Sequence, residues 1–145
     1  MKIDRITRID ESVVSDFRRL MPQLTGKETY PSFEELEQVI RSEDTCLLVA
    51  TENEDVIGTL TLVFYHIPTG PKAYIEDVVV DKDARGKGVG KALISYAIQL
   101  ARKKRALKID LTSHPARIAA NKLYRKMGFT QRESNVYRLS LQETD

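Results

Sequence analysis

A strand that runs into a glycine-rich loop, followed directly by a helix, constrains the fold of this chain more than any other feature. Residues 73–80 predict the strand, and three glycines alternate with other residues in the loop at 85–90. Apolar residues recur at helical spacing over 89–100, and residues 106–112 predict another strand. Two strands joined through a helix in this way run parallel in one sheet. The sequence therefore predicts a parallel strand pair within a sheet.

The rest of the chain predicts further strands and helices around this crossover. Strands are predicted at 2–6, 45–51, 56–65, 129–131 and 136–141, and helices at 13–24, 33–40 and 117–127. A turn separates the second and third of these strands, so they form an antiparallel hairpin. We predict an α/β fold with a mixed sheet and helices on both faces. No linker, repeat or low-complexity stretch interrupts the sequence, which indicates a single domain over 1–145.

Three helix ends carry recognisable signals. Gly26 follows the first predicted helix and Gly128 follows the last, where a left-handed residue commonly ends a helix. Ser32 and Glu35 have the spacing of a capping box, which predicts that the second helix begins after Ser32.

Composition argues against several classes of function. The 145 residues carry 23 basic and 21 acidic side chains, and a net charge of +2 gives no argument for a nucleic acid or a membrane as partner. No apolar run approaches membrane-spanning length, and the start of the chain lacks the apolar core of a signal peptide. The one cysteine, Cys46, excludes an internal disulfide, and no His, Cys and acidic residues have metal-binding spacing. We expect a cytoplasmic globular protein without a metal.

The glycine loop has the properties of an anion-binding site. In Arg85-Gly86-Lys87-Gly88-Val89-Gly90 the glycines allow positive φ angles and close approach of a ligand to the backbone. The first N–H groups of the following helix point into the loop, and Arg85, Lys87 and Lys91 add positive charge. The spacing differs from the dinucleotide motif, and Ala92 stands where a P-loop has serine or threonine. We expect phosphate or pyrophosphate there; the alternative is a tight turn with solvated lysines.

Two motifs together resemble those of a known family. The loop matches the pattern Arg/Gln-x-x-Gly-x-Gly, and residues 120–129 match Ala-x-x-x-Tyr-x-x-x-Gly-Phe. Both are similar to motifs of the GNAT superfamily of acyl-CoA N-acyltransferases, and the predicted element order agrees over nearly the whole chain. The resemblance implies a mostly antiparallel sheet and an N-acetyltransferase with acetyl-CoA as co-substrate.

The resemblance also implies where CoA binds. The backbone N–H groups of residues 85–90, with Lys91 beside them, would hold the CoA pyrophosphate. The edge formed by Val78, Val79 and Val80 would pair with the pantetheine arm like an added strand. The two parallel strands would splay apart to admit that arm.

Acetyl transfer to an amine needs three groups at the thioester. An alkyl amine with a pKa of about 10.4 must lose a proton, at a cost of roughly 4–5 kcal/mol at pH 7. Glu76 is the candidate base, and a surface or ion-paired glutamate is the alternative reading. Asp77 is the second candidate. In a regular strand its side chain points to the face opposite that of Glu76, but a bulge would reverse this. The resemblance makes Tyr124 the acid that protonates the leaving thiolate, and the N–H of Val79 would hold the oxyanion.

Other polar residues have weaker signals. Arg117 stands where the family often has asparagine, and Asn121, one helical turn before Tyr124, is the expected substitute for that pantetheine contact. His114 follows a predicted strand and could assist as a base, but a solvated loop histidine is the favoured reading. Cys46 has no basic neighbour in sequence, so we expect a buried structural thiol rather than a covalent acetyl carrier.

The acceptor is the least constrained part of the hypothesis. We expect a primary amine of a small molecule, with direct transfer from acetyl-CoA. A protein or peptide acceptor and a non-catalytic acyl-CoA-binding module are the alternatives. In similar proteins the acceptor is set by the first two helices and the last strands, which here offer Glu28, Tyr30, Asn135 and Tyr137. Dimers are common among similar proteins, which makes a homodimer the assembly to test.

Overall fold

The computed structural model describes residues 1–142 as two compact units. The first, Met1–Thr112, contains the sheet and three α-helices. The second begins at Ser113 and contains one α-helix. The single domain that the sequence predicts over 1–145 stays a prediction.

Five strands of the first unit form one mixed sheet. They are β1 (Lys2–Arg5), β2 (Thr45–Glu52), β3 (Asp55–Ile67), β4 (Gly70–Val80) and β5 (Ile109–Asp110). Their order across the sheet follows the chain. Neighbouring strands are antiparallel except β4 and β5, which are parallel. This confirms the predicted α/β class, the mixed and mostly antiparallel sheet, and the parallel pair.

All four predicted helices are present, and three of their ends lie at the predicted signals. They are α1 (Glu11–Thr25), α2 (Phe33–Arg41), α3 (Val89–Lys103) and α4 (Ile118–Lys126), and Lys82–Ala84 form a single 3₁₀ turn. The N–H of Glu35 donates to the Ser32 hydroxyl, and the N–H of Ser32 donates to the Glu35 carboxylate, which confirms the capping box. Gly26 ends α1 with a φ of 71°, and Gly128 follows α4 with a φ of 103°.

Helices α1 and α2 cover one face of the sheet with apolar side chains. Phe17 and Leu20 of α1 and Leu36 of α2 lie in one buried cluster with Val49 of β2 and Val79 of β4. Each of these residues is at most 3% exposed, so this face forms a buried apolar core layer. Val79, the residue expected to hold an oxyanion through its backbone, is thereby fixed by its side chain.

A glycine on β3 lets α3 approach the opposite face of the sheet. A Cβ atom at Gly58 would lie 2.9 Å from Cγ1 of Val89 and 3.2 Å from Cδ1 of Leu93. Gly58 faces away from α1 because its neighbour Thr59 pairs with Val79, and successive strand residues alternate between faces. The sheet therefore has helices on both faces, as predicted, and the first turn of α3 packs on its centre.

The predicted strands in the last part of the chain are wrong or shortened. The strand predicted over 106–112 contains only Ile109–Asp110, and residues 129–131 and 136–141 form no strand. Four apolar side chains of the last segment are 76–91% exposed, namely Val136, Tyr137, Leu139 and Leu141. A strand needs a neighbour to complete its hydrogen bonds and cover its apolar side, and the alternating pattern cannot supply one.

Candidate active site

A β-bulge interrupts β4 just before the glycine loop. Glu76 pairs with Thr61 and Val79 pairs with Thr59, so two residues of β4, Asp77 and Val78, lie opposite one residue of β3. Asp77 adopts a φ of 50°, which is a left-handed conformation. An extra residue of this kind bends a strand and changes which face its side chains occupy.

The bulge changes how the two candidate carboxylates are presented. Residues three apart lie on opposite faces of a regular strand. Here Glu76 shares a face with Val79, because their partners Thr61 and Thr59 are two residues apart. Glu76 and Asp77 are both exposed, although they are consecutive in a strand. The bulge that the sequence analysis named as an alternative to a regular strand is thus present. The carboxylates of two consecutive residues are exposed at this end of β4.

The parallel ladder between β4 and β5 is short. It consists of Ala73 opposite Ile109 and Tyr74 opposite Asp110. β4 continues for six residues beyond Tyr74, and β5 ends at Asp110. The ladder therefore ends six residues before β4 does, and the splaying of the two strands that the family resemblance implies stays a prediction.

The backbone of the glycine loop is open to solvent. Gly86 and Gly88 have φ angles of 78° and 79°, and a Cβ atom at either would meet no heavy atom within 4 Å. Residues 85–88 are exposed, while Val89 is buried and anchors the start of α3. Gly88 is the N-cap of α3 and contributes no side-chain cap. The expected positive φ angles at these two glycines are confirmed, and no side chain fills the loop beside them.

Of the three basic residues around the loop, Arg85 contacts the backbone of β4, whereas the two lysines are exposed. Nε of Arg85 donates to the carbonyl of Val80 at 3.3 Å, so this side chain turns back toward the end of β4. Lys87 and Lys91 are exposed to solvent. A helix N-terminus with exposed amides and nearby cations stabilises an anion.

The second unit contains the candidate acid. Tyr124 is 6% exposed, and its ring makes an edge contact with Phe129, with 6.0 Å between the ring centroids. Burial raises the pKa of Tyr124 above its ordinary value, while the charge of Arg117 and a hydrogen bond with it act in the opposite direction. A phenol with a raised pKa keeps its proton at neutral pH, as a general acid must. Sequence reasoning noted Arg117 only as a departure from the family pattern and missed its contact with Tyr124.

Two further predicted residues take part in the turn before α4. Nδ2 of Asn121 donates to the carbonyl of His114 at 3.0 Å. Nδ1 of His114 accepts from the N–H of Ala116 at 3.0 Å, and the residue is exposed. This supports the reading of His114 as a loop histidine. The pantetheine contact of Asn121 stays a prediction, and its side chain already stabilises the local turn.

The candidate residues fall in both units. The exposed carboxylates, the three valines at the end of β4 and the glycine loop lie close together in sequence within the first unit. Tyr124 and Asn121 belong to the second unit.

Cys46 is buried, as expected for a structural thiol. Over residues 1–142 no group of three or more His, Cys, Asp or Glu could hold a metal ion. In the same part of the chain, every helix is too short or too polar to cross a membrane.

Known proteins resemble this chain in sequence and in fold. The sequence pattern of the acetyltransferase (GNAT) family matches residues 10–129. The uncharacterized N-acetyltransferase YhdJ of Bacillus subtilis (strain 168) is 34% identical, with 76% of this chain and 91% of that protein covered. The glucosamine 6-phosphate N-acetyltransferase of Trypanosoma brucei brucei is 37% identical, over 52% of this chain and 63% of that enzyme.

The fold matches a solved structure over almost its whole length. An aminoglycoside acetyltransferase from an uncultured soil metagenomic sample has a TM-score of 0.85 with 23% sequence identity. The match covers 98% of this chain and 96% of that one. At this identity the likeness supports the fold alone.

Proposed function

The chain belongs to the GNAT family of acetyltransferases, and on that premise we propose that it transfers an acetyl group from acetyl-CoA directly to a primary amine of a small molecule. Enzymes of this family are acyl-CoA-dependent N-acyltransferases.

The single observation that carries the proposal is the open backbone between Arg85 and Gly88. Two left-handed glycines leave space beside the main chain, and the first turn of α3 follows with its N-terminus uncapped by a side chain. Such a turn can hold the diphosphate of CoA through backbone N–H groups, with residues 85–91 as the contacts. The pantetheine arm would then extend along Val78, Val79 and Val80, beyond the point where the ladder with β5 ends.

The bulge supplies groups for the chemistry at the thioester. Glu76, or Asp77 as the second candidate, removes a proton from the ammonium of the acceptor, directly or through water. The nitrogen lone pair then attacks the thioester carbonyl carbon, and the N–H of Val79 stabilises the oxyanion. The carbonyl re-forms as the C–S bond breaks, and the hydroxyl of Tyr124 donates its proton to the departing thiolate. The resulting phenolate regains a proton from the acceptor nitrogen, directly or through water, which leaves a neutral amide. Cys46 is buried, which favours direct transfer over an acetyl-cysteine route.

The exposed carboxylate pair also suggests the class of acceptor. Glu76 and Asp77 are adjacent and exposed, and two negative side chains attract a cationic ammonium group. One relative is named for glucosamine 6-phosphate and one structural neighbour for aminoglycosides, both small molecules with amino groups. We therefore place amino sugars first among the acceptors to be tested. A cytoplasmic location and a homodimer stay predictions.

An acceptor screen tests the proposal. Purified protein is mixed with acetyl-CoA and a panel that contains glucosamine 6-phosphate, aminoglycosides, polyamines and lysine peptides, and free thiol release is followed. We expect release above background with a small amine and no release without acceptor. Acetylation of peptides alone would indicate a protein acetyltransferase. CoA binding without turnover on any amine would indicate a non-catalytic module.

A further inference from the structure

An arginine on α1 joins three parts of the first unit through buried partners. Nε of Arg19 donates to Oδ2 of Asp81 at 2.9 Å, and one terminal nitrogen donates to Oδ1 of Asp16 at 3.1 Å. The other terminal nitrogen donates to the carbonyl of Val56 at 2.6 Å. Asp16 and Asp81 are only 6% and 7% exposed. One guanidinium therefore bridges α1, the start of β3 and the residue that follows β4.

The same contacts fix the chain segment immediately before the glycine loop. Oδ1 of Asp81 accepts from the N–H of Asp83 at 3.2 Å and caps the 3₁₀ turn. The N–H of Asp81 donates to the carbonyl of Ile57 at 2.8 Å. Gln23, one helical turn after Arg19, accepts from the N–H of Lys82 at 2.8 Å. Two side chains on one face of α1 thus hold residues 81–83.

Only an arginine satisfies all these acceptors together. The planar guanidinium directs hydrogen bonds along several fixed directions, whereas the ammonium of lysine is a compact point charge. The two aspartates are buried, so each needs its charge-assisted partner. The second oxygen of Asp16 accepts from the N–H of Val56 at 3.1 Å, which ties the same residue of β3 to α1 twice.

We propose that Arg19, assisted by Gln23, is a positioning residue for CoA binding: it fixes the segment 81–83, and through that segment the backbone amides of the glycine loop. The inference rests on the proposed function, because it assigns the loop to the CoA diphosphate. Asp16 and Asp81 are the partners through which Arg19 acts. Loss of the arginine leaves α1 packed by its apolar face and frees the start of the loop.

The test compares Arg19→Lys and Gln23→Ala with wild type and with Arg41→Lys. Arg41 is the matched control, because it is a helix-borne arginine with an ion pair of 2.7 Å to Glu37 and is exposed. Kinetic constants for acetyl-CoA and for the acceptor are measured below the unfolding temperature of every variant. Amide hydrogen exchange of residues 85–90 is measured without CoA, so the order of the loop is read independently of binding.

We expect Arg19→Lys to raise the KM for acetyl-CoA about tenfold, which is about 1.4 kcal/mol, with kcat and the acceptor KM near wild type. We also expect faster exchange at 85–90 in Arg19→Lys, a smaller effect in Gln23→Ala, and none in Arg41→Lys. Unchanged exchange and unchanged KM in a folded Arg19→Lys would overturn the positioning role while leaving the proposed function intact. Wild-type protein that fails to bind CoA would overturn the proposed function itself, and the cofactor role of Arg19 with it.

Discussion

Tyr124 is a buried, protonated phenol with a basic side chain beside it. It is buried, so its pKa is raised and its hydroxyl stays protonated, and it has a polar neighbour in Arg117. A thiolate whose thiol has a pKa of about 8.5 is a weaker base than the Tyr124 phenolate, so the proton passes to sulfur only if that phenolate is stabilised. Because Arg117 favours the ionised phenol, it also stabilises the charge that Tyr124 acquires when it donates.

Replacing Tyr124 with phenylalanine tests the acid role. The substitution removes only the hydroxyl and keeps the ring that contacts Phe129. We expect kcat to fall about 100-fold, at the lower end of the range for general acid catalysis. The Kd for CoA should stay at the wild-type value, as measured by titration calorimetry. Turnover at the wild-type rate would contradict the assignment.

Asp81 makes the stability of the fold depend on pH. Burial disfavours its charged form, but the N–H of Asp83 and the guanidinium of Arg19 outweigh burial and hold the pKa of Asp81 below its ordinary value of 3.8. This stabilisation is fully present above the unfolded-state pKa and is lost as the pH falls through the lower folded-state pKa.

An asparagine at position 81 removes that titration. We expect Asp81→Asn to lower the free energy of unfolding by about 1–3 kcal/mol at pH 7, because Arg19 loses a charged partner. The difference from wild type should begin to shrink as the pH falls below the ordinary value of 3.8, and it should vanish only below the lower folded-state pKa of Asp81. Urea unfolding at several pH values measures both quantities. A difference that does not change with pH would show that the charge of Asp81 contributes nothing.

At the scale of elements, the junction of β4 and α3 is where local conformation controls the site. Gly88 and Gly26 have φ angles of 79° and 71°, and a Cβ atom added at either glycine would meet no heavy atom within 4 Å. Valine at either position is strained by a similar amount, roughly 1–2 kcal/mol. Only Gly88 lies in the proposed CoA loop, so the two substitutions form a matched pair.

The paired substitutions separate stability from binding. We expect Gly88→Val and Gly26→Val to lower the free energy of unfolding similarly in chemical denaturation. Gly88→Val should abolish CoA binding, while Gly26→Val should keep it. Normal affinity in the folded Gly88→Val variant would exclude the loop as the diphosphate site.

The contact between β3 and α3 controls how the start of that helix is placed. A methyl group at Gly58 would lie 2.9 Å from the branched side chain of Val89 and 3.3 Å from the backbone oxygen of Val79. We expect Gly58→Ala to lower the free energy of unfolding by about 1–3 kcal/mol through overpacking. It should also weaken CoA binding by displacing the first turn of α3. Denaturant unfolding measures the free energy of unfolding, and titration of the same preparation measures the affinity for CoA. Wild-type values of both would show that the contact between Gly58 and Val89 does not control the position of α3.

Across the whole molecule, exposed apolar residues mark where the fold departs from the expected order of strands. Tyr137 and Leu139 are 87% and 84% exposed. We expect the double substitution Tyr137→Ser, Leu139→Ser to change the free energy of unfolding by less than about 0.5 kcal/mol, because exposed side chains contribute little. A loss of several kcal/mol in thermal or urea unfolding would show that this segment packs as a strand.

Sequence reasoning succeeded where the information is local. The capping box at Ser32, the glycine that ends α1 and the open loop before α3 depend on residues within a few positions of one another. The bulge at Asp77 depends on how β3 pairs with β4, so the sequence could name it only as an alternative. The bond between Arg19 and Asp81 joins residues 62 positions apart, and no periodic pattern reveals such a pair.

The extra residue in β4 determines which sequence positions before and after the bulge share a face of the sheet. From Val80 back to Val79 the side chains alternate normally, but the alternation is reset at Asp77, so Glu76 shares the α1-facing side with Val79. Removing Asp77 would take out the extra residue and straighten the strand, and Glu76 would stay opposite Thr61 on the same side as Val79. Substitution of Glu76 therefore examines what its carboxylate does, whereas deletion of Asp77 keeps that carboxylate on its face and examines what the bulge itself contributes.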